Sequence, residues 1–201
     1  MSLPARTVAL NILRAHRASS DAEVLALALK TLASGHRYIA YELLRAAPRA
    51  LAAARVNDIR RFAAGMTTWG DVDCFGCFVT GVAWRTGRIS DKEIARLASS
   101  RDKWWRRAAL VATVPLNAKS RGATSATGDA TRTLAVCTRL LDDRDEMVVK
   151  AMSWALRELA KRNPHAVLTF LSEHGERLAA RVRREVANKL TTGRKSPRSR
   201  A

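Results

Sequence analysis

The chain has 201 residues, of which 47% are hydrophobic, and this is enough apolar material for one folded domain with its own core. Its 36 Lys and Arg residues outnumber the 18 Asp and Glu residues, and the formal net charge of +18 favours a polyanionic partner, either nucleic acid or an acidic membrane surface. Apolar runs of at most about nine residues are too short to cross a bilayer, and three cysteines do not form a disulfide framework, so we expect a soluble, cytoplasmic protein.

The N-terminal half of the chain carries a series of helix start signals. Ser20 and Glu23 form a capping box ahead of an apolar run, Thr67 or Thr68 caps a later helix, and Asp102 caps another. In chain order, the predicted helices of this half follow Pro4, lie between Ser20 and Gly35, and cover residues 36–45, 56–64, 69–85, 91–99 and 103–114.

One clear loop, over residues 117–130, is rich in Gly, Ser, Thr and Ala and separates two parts of similar composition. Beyond it, helices are predicted over residues 132–141, 145–162, 164–174 and 176–190. The basic segment over residues 191–201 carries Pro, Gly and Ser, and we expect it to be a disordered tail. Residues 1–190 are therefore predicted to form a single domain.

The predicted fold is all-α, because no stretch shows the sustained period-two alternation of an exposed strand. Short helices joined by short turns are typical of antiparallel helix hairpins, and a tryptophan recurs near a helix start at Trp69, Trp104 and Trp154. These features favour a HEAT-like repeat solenoid with a concave basic face. A plain globular bundle is the alternative that composition leaves open.

Trp69 and Asp73 lie four residues apart on the predicted 69–85 helix and therefore share a face. Asp73 lies one turn into the helix, where the helix dipole helps to keep its carboxylate ionised. A carboxylate beside an indole is an unusual pair, and it marks a candidate catalytic site. The alternative is structural, with Trp69 in the core and Asp73 helping to cap the first turn.

A second candidate segment, with Trp104, Arg106 and Arg107, opens the helix that Asp102 is predicted to cap. Arg107 lies three residues after Trp104 on the same face, near a helix N-terminus whose backbone N–H groups favour phosphate. We predict that Trp104, Arg106 and Arg107 contact DNA. For a lone arginine, the alternative is a solvated surface side chain.

The third segment carries Trp154, Arg157 and Lys161, whose spacing of three and then four residues places them in one stripe of the 145–162 helix. A core stripe would not normally contain two cations. An aromatic side chain followed by cations is typical of a nucleic-acid groove, in which the indole packs against a sugar or base and the cations follow the phosphates. We therefore predict that this stripe faces DNA.

These three segments resemble the AlkD-like alkylpurine DNA glycosylases, which are HEAT-repeat members of the DNA alkylation repair family. The resemblance covers about residues 36–190 and is most specific over residues 154–164. In that family the concave face of the solenoid holds the duplex, and an aspartate with two tryptophans surrounds the damaged nucleotide. The implied roles are the catalytic carboxylate for Asp73, flanking indoles for Trp69 and Trp154, and DNA-backbone contacts for Arg107, Arg157 and Lys161.

The activity that the resemblance implies suits these residue types. A purine alkylated at N3 or N7 is cationic and is already a good leaving group, so no general acid is needed. A fixed carboxylate stabilises the oxocarbenium-like sugar, and each indole face adds cation–π attraction of about 0.5–2 kcal/mol. The resemblance thus implies a monomeric glycosylase that acts on duplex DNA without a metal or a cofactor.

The chain departs from the family pattern at Thr68 and Gly70, where relatives often carry an aromatic residue and a carboxylate. A non-catalytic HEAT-repeat protein that binds distorted or branched DNA is therefore the alternative function. Cys74 and Cys77 form a Cys-x-x-Cys pair inside a predicted helix with no second pair, and we interpret them as small core residues rather than a zinc or redox site.

Overall fold

The computed structural model describes residues 4–118 and 128–196, and the chain divides into two units, Met1–Ser90 and Asp91–Ala201. Every regular element within the described residues is a helix, which confirms the predicted all-α fold. None of the helices in this described part is both long and apolar enough to cross a membrane. The solenoid arrangement and the single domain over residues 1–190 stay predictions.

The first unit is organised around its third helix. Within the described residues this unit consists of α1 (Ala5–Ala15), α2 (Asp21–Ala33), α3 (Arg37–Ala46), a 3-10 helix (Pro48–Ala53), α4 (Val56–Ala63), α5 (Trp69–Cys74), a π-helix (Phe75–Thr80) and α6 (Gly81–Arg85). Helix α3 packs against α1, α2 and the π-helix, and its Tyr41, Leu43 and Leu44 are fully buried. Each such side chain contributes about 1.5–3 kcal/mol when it leaves water. Helix α3 is therefore the rigid support for the segment that begins at Trp69.

Helices α5 and α6 and the π-helix between them form one continuous helical segment, as predicted for residues 69–85. The π-helical stretch was not predicted, because i to i+5 pairing leaves no distinctive residue pattern. It begins directly after Cys74, so Trp69 and Asp73 lie on the regular α-helix that precedes it.

The second unit is organised around its longest helix. Its described residues form α7 (Asp91–Ala98), α8 (Lys103–Val111), α9 (Val114–Asn117), α10 (Ala130–Arg139), α11 (Glu146–Ala160), α12 (Pro164–His174), a 3-10 helix (Gly175–Arg177) and α13 (Ala180–Thr192). Helix α11 packs against α8, α10, α12 and α13, and Leu156 and Leu159 on it are completely buried. The backbone of α11 is consequently anchored by its neighbours on several sides.

Three boundaries in the second unit correct the sequence predictions. Helix α8 ends at Val111, and Pro115 lies in the first turn of the separate short helix α9, where the missing N–H of a proline costs nothing. The last predicted helix begins at Ala180 rather than at residue 176, because a 3-10 turn precedes it. Helix α13 continues to Thr192, so two residues assigned to the tail are helical.

Two further predictions concern the loop and a recurring tryptophan. Most of the predicted 117–130 loop, residues 119–127, lies outside the described residues, as do residues 197–201 of the predicted tail. Trp69 and Trp104 lie in the first turns of α5 and α8, but Trp154 lies in the middle of α11. The expected tryptophan near each helix start is therefore wrong for Trp154.

Candidate functional site

Helix α5 begins at Trp69 because two side chains cap it reciprocally. The Thr68 Oγ1 atom accepts a hydrogen bond from the backbone N–H of Asp71 at 3.2 Å, and Asp71 Oδ2 accepts one from the N–H of Thr68 at 3.2 Å. This is the threonine-plus-acid capping box, which satisfies backbone donors that the helix itself cannot use. Asp71 is therefore the carboxylate of this capping box.

Trp69 and Asp73 are both accessible on this helix. Trp69 is 62% exposed, so the alternative that it belongs to the core is wrong. Asp73 is half-buried and follows four residues later, on the same side of the helix. An exposed indole can pack against a ligand, and the Asp73 carboxylate supplies a negative charge on the same side of the helix.

Tyr38 of α3 lies next to the start of α5, and the sequence analysis did not identify it as a neighbour of the candidate site. Its side chain is 46% exposed, and its hydroxyl lies 3.1 Å from where a Cβ on Gly70 would be. Burial raises the pKa of the Tyr38 phenol, and the nearby Asp71 carboxylate raises it further. Burial raises the pKa of Asp71, but hydrogen bonds from Thr68, Tyr38 and the backbone outweigh it, and the net pKa lies below the ordinary value. Asp71 is thus an ionised structural carboxylate.

The turn that leads into α5 is also fixed by α3. The Tyr41 hydroxyl donates to the carbonyl oxygen of Phe62 at 2.8 Å, and Arg37 donates to the carbonyl oxygens of Phe62, at 3.1 Å, and of Ala64. These carbonyls end α4 and would otherwise lack partners. Burial raises the pKa of Tyr41 to about 12, so its hydroxyl remains a donor. Helix α3 therefore holds the end of α4, from which the connection to α5 begins.

The pKa of the Cys74 thiol is raised by burial and by the negative charges around it. Burial raises its pKa to about 11, and the charges of Glu42 and Asp73 raise it further. A thiol with so high a pKa is a poor nucleophile, in line with the interpretation of Cys74 and Cys77 as structural, although both are only half-buried. Across residues 4–118 and 128–196, no group of three or more His, Cys, Asp or Glu side chains is arranged to hold a metal ion.

In the second unit, α8 begins as predicted, with Asp102 Oδ1 accepting a hydrogen bond from the N–H of Trp104 at 2.8 Å. Arg106 then turns into the protein. Its Nε donates to Asp143 Oδ2 at 2.6 Å, and its Nη1 donates to the carbonyl oxygens of Ser100 at 3.1 Å and Arg101 at 2.7 Å. The guanidinium thus ties α8 to the turn that follows α10, and its predicted contact with DNA stays a prediction.

Arg107 is also anchored inside the second unit. Only 6% of the residue is exposed, and its Nη1 donates to the carbonyl oxygen of Met147 at 2.6 Å. This bond joins α8 to the first turn of α11, the helix that carries Trp154. The alternative of a solvated surface arginine is therefore wrong for Arg107, whereas the phosphate contact stays a prediction. Trp104 is half-buried, with the Lys103 ammonium 5.2 Å from its ring centroid in a cation–π contact.

The stripe on α11 divides into a half-buried part and an exposed part. Trp154 is half-buried, and Arg157 donates from Nε to Ser153 Oγ at 3.2 Å. Burial lowers the pKa of Arg157, although the nearby carboxylates oppose this. Lys161 follows the last residue of α11, and its side chain is 45% exposed and paired with Glu158 at 2.5 Å.

The structure brings together some of the predicted site residues within each unit. Trp69 and Asp73 share one helical turn of the first unit. The predicted DNA contacts of the second unit lie on α8 and α11, which pack against each other and are linked through Arg107. The second-unit set consists of Trp104, Arg106, Arg107, Trp154, Arg157 and Lys161.

The described residues form an all-helical protein that is rich in arginine. In the first unit, an exposed indole and a carboxylate lie on one face of α5. In the second unit, α8 and α11 each carry tryptophan and basic side chains. Residues 3–190 match the family described as DNA alkylation repair enzyme, and the chain belongs to that family. The family membership inferred from the three motifs is thereby confirmed. A comparison with curated proteins found no match. Membership assigns the protein a general role in the repair of alkylated DNA, with DNA as its substrate.

Proposed function

We propose that the protein is a monofunctional DNA glycosylase that removes cationic N3- or N7-alkylated purines from duplex DNA. The observation that carries this proposal is the pairing on α5 of an indole that is 62% exposed with Asp73, a half-buried carboxylate four residues later on the same side of the helix. Membership in the DNA alkylation repair enzyme family supports the substrate class. The formal net charge of +18 supports duplex DNA as the partner.

The reaction requires little acid–base chemistry. The bond between the purine nitrogen and C1′ of the deoxyribose breaks, and its electron pair neutralises the cationic base as the base leaves. The sugar acquires oxocarbenium character, which the ionised Asp73 carboxylate stabilises electrostatically. Water then adds to C1′ and loses a proton to Asp73 or solvent, which leaves an abasic site. The bond cleavage and the addition of water balance in atoms and charge without a cofactor.

In this proposal, the other predicted residues bind the DNA and do not take part in bond cleavage. The indoles of Trp69 and Trp154 lie against the charged base and sugar, where each contributes about 0.5–2 kcal/mol of cation–π attraction. Lys161, Arg157 and Arg107 hold the DNA backbone. Trp104 and Arg106 belong to the same predicted DNA contact set on α8.

The test is release of 7-methylguanine or 3-methyladenine from methylated duplex DNA, measured under single-turnover conditions. Asp73→Asn keeps the size of the side chain and removes its charge, and the rate is expected to fall by about 10²-fold or more. Asp21→Asn is the matched control, because Asp21 is an exposed first-turn carboxylate of α2. DNA affinity is measured in parallel for all three proteins.

The outcome decides between the proposal and its alternative. If wild type binds methylated DNA but releases no base, the enzymatic proposal is wrong, and a non-catalytic DNA-binding protein becomes the better description. If Asp73→Asn retains the wild-type rate, the glycosylase activity does not use this carboxylate, and the proposed site is wrong.

A further inference from the structure

The accessible side of the helical segment over residues 69–80 stays in line where the α-helix changes to a π-helix. In a plain α-helix, residues eight positions apart are offset by about 80° around the axis. The wider π-helical turn takes up this offset, so Phe78 continues the face that Trp69 begins. The accessible residues recur every four positions as three pairs: Trp69 with Gly70, Asp73 with Cys74, and Cys77 with Phe78.

Helix α3 runs beside this segment in the same direction and packs against both α5 and the π-helix. Near the start of α3, the Tyr38 hydroxyl lies 3.1 Å from where a Cβ on Gly70 would be. Near its end, the Arg45 guanidinium lies over the Phe78 ring, 5.1 Å from the ring centroid. The accessible stripes of the two segments form one surface, the α3–α5 face, which consists of Tyr38, Glu42, Arg45, Trp69, Asp73 and Phe78.

Arg45 is held on the α3–α5 face by two neighbours. Its Nη1 donates to the Glu42 carboxylate, at 2.9 Å to Oε1 and 3.3 Å to Oε2, and the Phe78 ring lies against the guanidinium. The Arg45 side chain is still 42% exposed, so water weakens the ion pair and a phosphate can compete for the guanidinium. Because both neighbours restrict the side chain, little further ordering is needed when an anion binds.

The proposed reaction requires a cation on this face. To stabilise the sugar of a damaged nucleotide, Asp73 must come close to a DNA strand in which every nucleotide carries a negative phosphate. Glu42 adds a second negative charge to the same face, and like charges repel. Arg45 supplies a positive charge at Phe78, five residues after Asp73 and therefore about 7 Å further along the helix axis.

We propose that Arg45 binds a backbone phosphate next to the damaged nucleotide and thereby brings that strand against Asp73. The inference rests on the proposed glycosylase function for the position of the damaged nucleotide. Glu42 and Phe78 are positioning residues, which act by orienting the guanidinium. The DNA contacts predicted from the sequence all lie in the second unit, and Arg45 gives the first unit a phosphate contact of its own.

The experiment measures binding to a duplex that carries one tetrahydrofuran abasic-site analogue in place of the damaged nucleotide. Arg45→Ala is expected to weaken binding by about five- to tenfold, as for the loss of one contact between charged groups, and to reduce the salt slope by about one phosphate contact. Arg61→Ala is the matched control and is expected to stay within about twofold of wild type. Arg61 also pairs with an acid three residues earlier, Asp58 at 4.0 Å, but it lies on α4 and lines a cavity with Leu29 and Leu32 of α2.

A double-mutant cycle between the protein and the DNA locates the contact. Each duplex carries one uncharged methylphosphonate, placed either at a phosphate within about two nucleotides of the tetrahydrofuran or at a distal phosphate. At the contacted phosphate, this change is expected to weaken wild-type binding about as much as Arg45→Ala does, and to cause less than about a twofold further loss in the Arg45→Ala variant. At the distal phosphate, the two losses are expected to add in free energy.

Arg45→Gln is carried through the same cycle, because it removes the charge and keeps most of the side-chain stem if Arg45→Ala proves unstable in urea. Coupling between Arg45 and a phosphate beside the tetrahydrofuran supports the inference. Wild-type affinity in both variants, or additive losses at every neighbouring phosphate, overturns it even where wild type releases methylated bases. If the coupling is present but wild type releases no base from methylated DNA, the phosphate contact stands and the glycosylase function alone fails.

Discussion

Replacement of Glu185 by Gln tests the buried polar network that joins α11 to α13. Glu185 is 6% exposed, and its Oε2 accepts a hydrogen bond from Ser153 Oγ at 2.6 Å. Its Oε1 accepts one from Arg181 Nε at 3.0 Å, and Arg157 in turn donates to Ser153 at 3.2 Å. One carboxylate thus organises three side chains, and Gln keeps its shape while removing its charge.

The expected loss is about 2 kcal/mol in the free energy of unfolding, because a hydrogen bond to a charged group contributes about 1.5–3 kcal/mol and a neutral one about 0.5–1.5 kcal/mol. The Arg181 side chain is 35% exposed, so solvent reduces its share. Glu185→Ala is expected to cost about 3–5 kcal/mol, since it leaves the Ser153 hydroxyl and the neighbouring cations without the carboxylate.

The stability difference between wild type and Glu185→Gln is also expected to depend on pH. Burial raises the pKa of Glu185, but hydrogen bonds from Ser153 and Arg181 and the charge of Lys195 outweigh it, and the net pKa lies below the ordinary value of 4.5. A lowered folded-state pKa stabilises the fold above the unfolded-state pKa and loses that contribution as the pH falls through the folded-state value. The difference between wild type and Glu185→Gln should therefore be complete at neutral pH and shrink below pH 4.5.

Urea unfolding at a series of pH values, followed by circular dichroism, measures this difference. Glu173→Gln is the matched control, because the Glu173 side chain is 61% exposed and is expected to contribute little. The reasoning is refuted if the Glu185→Gln loss at neutral pH does not exceed that of the control, or if it is the same size well below pH 4.5 as at neutral pH.

Two further substitutions separate a structural cation from a DNA contact. Arg106→Ala is expected to lower the free energy of unfolding by about 2–3 kcal/mol, measured by urea denaturation, because it removes the partly buried ion pair with Asp143 and two bonds to carbonyls. Lys161→Ala is expected to leave stability unchanged, to weaken binding to unmodified duplex DNA and to reduce the salt slope by about one phosphate contact, measured by fluorescence anisotropy. A stable Arg106→Ala variant, or a Lys161→Ala variant with the wild-type salt slope, would contradict these expectations.

The helix starts could be predicted because capping is local. Ser20 with Glu23, and Asp102 with the N–H of Trp104, interact within three residues, so the sequence contains both partners side by side. The start of α5 at Trp69 was predicted for the same reason. Its cap, Thr68, was one of the two threonines predicted, whereas the acid that completes the capping box, Asp71, was not singled out from the sequence.

The partners of the candidate site residues could not be predicted, because they lie far away in the chain. Arg106 pairs with Asp143, 37 residues later, and Arg107 donates to Met147, 40 residues later. The Tyr38 hydroxyl of α3 lies beside Gly70 in α5, and nothing in the local sequence around Tyr38 marks it as different from any half-exposed helical tyrosine. Helix packing determines these contacts, and the period of a single helix does not encode which other helix it meets.

The surplus of positive charge is therefore an indirect guide to DNA binding. Residues 101–201 contain 22 basic and 10 acidic residues, yet Arg106, Arg107 and Arg157 each donate to a group within the fold. A guanidinium held in this way is pre-oriented and loses little side-chain entropy when a phosphate binds, so an internal partner does not argue against DNA contact. It does mean that replacing the arginine removes fold stability together with any phosphate contact. Loss of DNA binding in such a variant identifies a contact only when unfolding is measured on the same protein, and Lys161, half-exposed at the end of α11, is the residue where the two effects separate best.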